Sequence, residues 1–467
     1  MLAEAPHFLR IPPFPRHRAG ALVVVGRGAD LGAAACDQLA AALVAERVGG
    51  AFWAPEHDPW IRDTGDEEAA VVGALRCGGG AARAVVERMT TGWHCRDPFT
   101  GEPFGWIDAV RLLGEWRRMI ESNRAVAGVF GIAGWKKVTL DALLWDGTGP
   151  VRYMGCDDGL RCGDVALAWV ARATAGLGEA LRAREIQLGE IEDGLIRSSG
   201  LGANCVPPLS VIVDTMGSYI DPSRPSTLET LLAEAEIAPE LIARAARLRA
   251  RLVTTGVSKY GVGPALTPTP RDRRRVLVTG QVEDDRAVIL GGAGCTNLTL
   301  LTRARALEPD AEVIYKPHPD VEAGHRIGAI PDAVALTHAD RIERTAPITT
   351  LLGEVDAVHV ISSLAGFEAL VRGVDVVTHG VPFYAGWGLT RDLAAVPDRR
   401  GRQRGLDELV AAVLLLYPRY LDPVTRLPCG AEVLVERMAA GQAGMDGPLV
   451  RLRMAQGRVM KLFRGRA

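Results

Sequence analysis

The sequence has no apolar run long enough to cross a bilayer, which needs about 20 residues in a row. Its longest, Leu409–Tyr417, is about half that and reads as a buried helix. It has no surplus of charge either. Lys and Arg number 54 against 56 Asp and Glu, a net of −2, so the basic face of a nucleic-acid binder is not expected. Paired cysteines are also missing. The eight are scattered without a CxxC, and the nearest two, Cys156 and Cys162, have no His or Cys partner at zinc spacing. This pattern fits reduced thiols in a cytoplasmic protein, with no metal and no cofactor expected. The first residues, MLAEAPHFLRIPPFPRHRAG, are broken by prolines and hold no long apolar core, so a signal peptide is not expected.

What the chain does have is apolar material, 48% of 467 residues, enough for two or three domains of ~100–200 residues. Strands are expected at Ala21–Val25, Ala127–Phe130, Ser210–Asp214, Arg275–Thr279, Glu312–Tyr315, Ala357–Ile361 and Val374–Thr378, with helical patterns such as TLETLLAEAEIAPELIARAARLRARLV between many of them. Strands alternating with helices predict parallel, doubly wound α/β layers. The proline-rich, charged run GPALTPTPRDRRR (263–275) reads as a linker. The expected organisation is an N-terminal region (1–120), a first Rossmann-like domain (121–262), a second one (276–440) and a basic tail (441–467). One internal echo stands out. DPFTGEP (97–103) resembles DPVTRLP (422–428), and each precedes a helical stretch, which suggests that the N-terminal region is a remnant of a duplicated module.

Several short motifs sit where strands end. In IEDGLIRSSGLG (191–202), Glu192 and Asp193 precede a glycine and are followed by Arg197 and Ser198. In KPHPD (316–320), the flanking prolines deny His318 a helix, and Lys316 and His318 are both potential phosphate donors. A histidine satisfied by backbone in a rigid loop is the alternative. ISSLAGFEALVRG (361–373) joins a strand to a helix. Ser362 or Ser363 is its natural cap, and such a helix start is also a phosphate cradle. In TGQVEDD (279–285), Gln281 is a candidate hydrogen-bonding amide, and the three acids read as a solvated turn rather than a cation site. Gly26, Gly28 and Gly32 follow a strand, but their GxGxxxG spacing reads as a structural turn. From Pro448, PLVRLRMAQGRVMKLFRGRA has six bases and no acid, a composition suited to an anionic membrane surface or to a solvated tail.

Taken in order, EDGLIRSSGLG, PPLSVIVDTMGSYIDPSRPSTLETLL, SKY (258–260), GQVEDD, YKPHPDVEAG, SS and GVPFYAGWGLT resemble the capsular polysaccharide β-Kdo transferase family, the KpsC/LipA type. Kdo is 3-deoxy-D-manno-oct-2-ulosonic acid. The resemblance covers roughly residues 125–440. It implies an α/β, GT-B-like fold, two Rossmann-type domains facing a cleft. It also implies a retaining glycosyltransferase that uses CMP-β-Kdo as donor and a phosphatidylglycerol-type glycolipid as acceptor. Other expected associates are capsule-assembly proteins and the anionic inner-membrane surface, with the protein cytoplasmic and peripheral. The acid-acid-Gly, His-Pro and Ser-Ser motifs are similar to those of bacterial sialyltransferases, which also use CMP-sugars.

On that resemblance Asp193 is the expected nucleophile, with general base as its second role. Glu192 is second choice for the nucleophile. Arg197 is assigned to the sugar carboxylate, and His318, Lys316, Ser362 and Ser363 to CMP and its phosphate. Ser198, Lys259 and Gln281 complete the substrate-binding set. The sequence departs from the family in holding one complete module rather than two, and in having Leu195 where Phe is usual. Alternatives are a transferase for another CMP-nonulosonic acid, or a non-catalytic paralogue in capsule assembly or export.

Overall fold

The structure is a computed structural model that describes residues 5–26, 31–157, 159–199, 205–259, 261–262 and 272–444. Gly28, the second glycine turn at Gly200 and Gly202, Tyr260, most of the expected linker (263–271) and the basic tail from Pro448 lie outside the described residues. The chain divides into two compact units. One comprises residues 1–188 with 420–429, the other 189–419 with 430–467.

In the first unit, helices Ala33–Glu46, Glu67–Cys77, Gly79–Thr90 and Trp106–Asn123 enclose a core that includes Phe8, Phe52, Leu113 and Trp116. A small antiparallel sheet joins Val23–Val25, Trp93–Arg96 and Pro103–Phe104. The last two strands are too close in sequence for the parallel pairing expected of the chain at large, which requires a long crossover. Val126–Phe130 runs parallel to both Val165–Ala168 and Tyr153–Met154.

The sequence echo is also a geometrical one. Cys95 pairs with Phe104 as Tyr420 pairs with Cys429. Asp97 and Asp422 each open the turn, donating N–H to Glu102 O (2.9 Å) and Leu427 O (3.0 Å) and accepting from Gly101 N and Arg426 N. Gly101 and Arg426 both take the left-handed conformation, φ 78° and 62°. Helices Trp106–Asn123 and Ala431–Ala439 follow. Leu427 is buried in the first unit's core, and the Trp116 indole donates to Pro428 O at 2.9 Å.

The second unit holds the expected parallel sheet. Its six strands lie in the order Arg341–Ile342, Glu312–Lys316, Arg275–Thr279, Ala357–Val360, Asp375–Thr378, Arg391–Asp392, all parallel. The chain starts in the middle, winds outward to one side, then returns and winds to the other. The switch point therefore falls between the C-terminal ends of Arg275–Thr279 and Ala357–Val360, where such sheets bind ligands. Two of the seven expected strands depart from the parallel pattern. Val23–Val25 is the first. The second, Ser210–Asp214, pairs antiparallel with Gln187–Asp193, Asp193 opposite Val211.

The long helical pattern after residue 226 is two helices, Thr227–Glu234 and Pro239–Thr255. Pro239 takes the first helical position of the second, where its missing N–H costs nothing. Ser226 caps the first by accepting from Glu229 N. The apolar run at 409–417 is buried as expected, but from Ala411 to Leu416 it widens into a π-helix. Among the described residues no helix is long and apolar enough to cross a membrane.

Candidate functional site

Strand Gln187–Asp193 alternates its side chains between two faces, so Glu192 and Asp193 point to opposite sides. Glu190 shares the Glu192 side. It is buried and forms a two-point ion pair with Arg286, at 2.7 and 2.8 Å. Arg286 opens the helix Arg286–Gly291, which Asp285 caps. Burial opposes the Arg286 charge, but Glu190 outweighs it, with help from Glu192 and Asp221, and the pKa is held above its usual value. Glu192 turns one oxygen back to accept from Asp193 N at 2.9 Å.

Asp193 faces the other way, onto Arg197. The Arg197 Nε lies 2.8 Å from Asp193 Oδ2, and the arginine side chain has 0% exposure. Its Nη1 donates to Ser198 Oγ (2.7 Å) and its Nη2 to Val206 O (2.9 Å). A guanidinium committed this way holds Asp193. It is not presented to a sugar carboxylate, the role the sequence suggested. Ser198 is likewise fully buried and serves Arg197. Lys259 enters through its backbone, accepting from Arg197 N (3.0 Å) and Ser198 N (3.4 Å) and donating to Glu368 Oε1 (3.2 Å). Gly194 lets two backbones approach closely, since a Cβ there would lie 2.0 Å from Ser210 Oγ.

Gln281 and Ser362 meet at the switch point. Gln281 Oε1 accepts from Ser362 N at 2.8 Å, and its Nε2 is 3.4 Å from Ser362 Oγ, which donates to Ala287 O at 2.9 Å. Ser363 is the helix cap, accepting from Ala365 N. The natural-cap expectation holds for Ser363, while Ser362 ties the helix start to the strand beside it. Asn297, unnoticed in the sequence, fixes Gln281 from behind: its Oδ1 accepts from Gln281 N and its Nδ2 donates to Gln281 O.

Next to this, Gly280 N donates to Lys316 O at 2.8 Å and brings the KPHPD turn alongside. His318 caps the short helix Pro319–Glu322, its Nδ1 accepting from Asp320 N at 3.1 Å. That bond fixes the neutral tautomer with the proton on Nε2, available as a donor. Burial lowers the His318 pKa, with Asp320 and Asp285 opposing. The half-buried Lys316 donates its Nζ to Ala346 O at 2.7 Å, and burial lowers its pKa.

The acidic turn 283–285 is structured rather than merely solvated. Glu283 accepts from Asn297 N, Asp284 pairs with Arg326, and Asp285 caps a helix. Among the described residues no group of three or more His, Cys, Asp or Glu is arranged to hold a metal ion. A second residue the sequence did not single out is Asp214. Its buried carboxylate accepts from Met216 N, Gly217 N, Thr227 N, Thr227 Oγ1 and Tyr417 OH and so fixes the loop after strand Ser210–Asp214.

Comparison with known proteins gives this site a context. Residues 165–420 match the family described as capsule polysaccharide biosynthesis protein. The capsule polysaccharide modification protein LipA of Neisseria meningitidis serogroup A is 37% identical over 347 residues, 73% of this chain and 49% of LipA. The lipopolysaccharide-processing protein LpsZ of Rhizobium meliloti is 48% identical over 241 residues, 50% of this chain and 54% of LpsZ. The chain spans about half the length of these curated relatives. Two solved structures of Thermosulfurimonas dismutans KpsC align over 67% of this chain and 98% of theirs. The β-Kdo 2,4 transferase has a TM-score of 0.56 at 32% identity, and the β-Kdo 2,7 transferase 0.54 at 29%. The fold is accordingly α/β and GT-B-like.

Proposed function

This chain belongs to the capsule polysaccharide biosynthesis protein family, and from that membership we propose that it is a retaining glycosyltransferase that moves Kdo from CMP-β-Kdo to a glycolipid acceptor. The observation that carries the reading is the likeness to two solved β-Kdo transferases. The placement of Asp193 supports it. A CMP-sugar brings its own phosphate leaving group, so the enzyme must supply a nucleophile, neutralise the departing charge and exclude water.

In this reading the Asp193 carboxylate, aimed by Arg197, attacks the anomeric carbon of Kdo as the bond to CMP breaks, giving a glycosyl-enzyme ester. The electron pair leaves with the CMP phosphate. That phosphate is taken to sit at the switch point, by the start of helix Leu364–Val371, with Lys316 and the His318 Nε2–H beside it. An acceptor hydroxyl then attacks the same carbon, the ester bond breaks with its electron pair returning to the Asp193 carboxylate, the hydroxyl proton passes to solvent, and the second inversion restores the β configuration. A phosphatidylglycerol-type lipid, an inner-membrane surface and capsule-assembly partners belong to the same proposal.

Intact-mass spectrometry of the protein mixed with CMP-Kdo tests it. A one-Kdo adduct on the wild type, absent from Asp193→Ala, is the expected result. Mass gain on a β-Kdo-primed lipid mimic without any adduct would keep the transferase and remove the covalent step. Absence of both signals would overturn the proposal.

A further inference from the structure

Two hydrogen bonds and an ion pair join the helix that begins at the switch point to the carboxylate of Asp193. Glu368 lies on helix Leu364–Val371, and its Oε1 accepts from Lys259 N at 3.2 Å. Lys259 O accepts from Arg197 N at 3.0 Å. Arg197 Nε stands 2.8 Å from Asp193 Oδ2. The middle link is weakly supported by secondary structure. Lys259 follows a two-residue strand, Val257–Ser258, whose sheet partner is the equally short Gly261–Val262. A ribbon of that size is not stable by itself, so anchoring must come from outside. The same helix supplies it twice, through Glu368 and through Arg372, whose Nη2 donates to Val257 O at 3.2 Å.

We propose that Glu368 is a positioning residue for Asp193, acting through the Lys259 backbone and the Arg197 side chain; this rests on the reading of Asp193 as the attacking carboxylate. The links have little slack. Leu195 and Ile196 of the acid-acid-Gly turn line one small pocket with Lys259, Phe367, Glu368 and Arg372, and Arg197 has no exposure to solvent. Burial raises the Glu368 pKa, against the charges of Arg372 and Lys259. What the Lys259 N–H needs is an oxygen at that point, charged or not. The helix that meets the leaving group in the proposed reaction thereby also sets the nucleophile. An error of about 1 Å in such a position costs on the order of 10²-fold in rate.

Two substitutions separate reach from charge. Glu368→Gln keeps the oxygen in place and removes the charge. Glu368→Asp keeps the charge and draws the oxygens back by about 1.5 Å, one C–C bond. The full chain is assayed with CMP-Kdo and a β-Kdo-primed acceptor, and hydrogen exchange is followed in the peptide spanning residues 192–199. Glu368→Gln is expected to stay within about threefold of wild type. Glu368→Asp should lower kcat by about tenfold or more, leave the donor KM unchanged and speed exchange at Arg197 and Ser198. Wild-type rate and exchange in Glu368→Asp would overturn the proposal, and so would a loss confined to Glu368→Gln, which would mark a charge partner of Arg372. An inactive wild type would count against the transferase reading alone, and the exchange comparison would still decide the relay.

Discussion

Asp193 Oδ2 lies 2.8 Å from the Nε of Arg197, an arginine with no solvent exposure. The pair is asymmetric. The carboxylate is partly open, while its partner is enclosed and donates hydrogen bonds to Ser198 Oγ and Val206 O. Removing the arginine therefore harms more than the ion pair. Arg197→Ala should destabilise the protein by roughly 3–5 kcal/mol, the usual cost of breaking a buried pair, as read from urea unfolding. Arg197→Lys keeps a charge but cannot span Asp193, Ser198 Oγ and Val206 O together. It should fold, retain CMP binding and lose most transfer activity.

Gly194 gives a test of close approach rather than of backbone strain. A Cβ at this position would sit 2.0 Å from Ser210 Oγ and 2.6 Å from Ser210 Cβ, in a paired strand that cannot step aside. Gly194→Ala should cost about 1–3 kcal/mol as an overpacked site. The chemical-denaturation midpoint is expected to fall with the m-value unchanged.

His359 and His379 make the acid side of the stability profile steep. Both are buried, with His359 Nδ1 and His379 Nε2 3.0 Å apart. Burial first, then neighbouring positive charge, brings their pKa values down to about 4 and about 3. The unfolded chain takes up these protons below about pH 6.5, while the folded chain does not until much lower. Stability is therefore full above pH 6.5 and falls on acidification, by up to about 1.4 kcal/mol per pH unit for each histidine. Unfolding in urea between pH 5 and 7 should show this slope, and His379→Asn should reduce it.

The tail from Pro448, with six bases and no acid, lies outside the described residues. Deleting residues 448–467 should weaken binding to anionic vesicles and remove its salt dependence. Sedimentation with vesicles of mixed anionic and neutral lipid reads this directly. Equal binding by the shortened chain would sink the membrane role.

The sequence announced most of the sheet. All seven expected strands exist within a residue or two, because β-branched runs bounded by turn residues leave little choice. The cap at Ser363 was equally legible, being a local event. What the sequence hid are bonds between distant positions. Glu190 meets Arg286 and Lys259 meets Glu368 across about a hundred residues, and no periodicity reports such pairs. Arg197 was visible as a cation beside two acids, but only burial shows that it is enclosed by protein. The antiparallel pairing of Gln187–Asp193 with Ser210–Asp214 was missed for a related reason, since composition does not encode strand direction.

The repeated hairpin has a consequence for synthesis. The N-terminal unit is built from residues 1–188 and from 420–429, and Leu427 lies inside its core. When the ribosome has reached residue 188, the unit still lacks the strand pair that closes it. At ~5–20 residues per second, the missing piece follows after roughly 10–50 s. Through that interval the apolar face awaiting Leu427 and the indole of Trp116 have no native cover from that hairpin. Two segments more than 200 residues apart are thus bound to one folding event, and a nascent chain halted before residue 429 is a natural client for a chaperone.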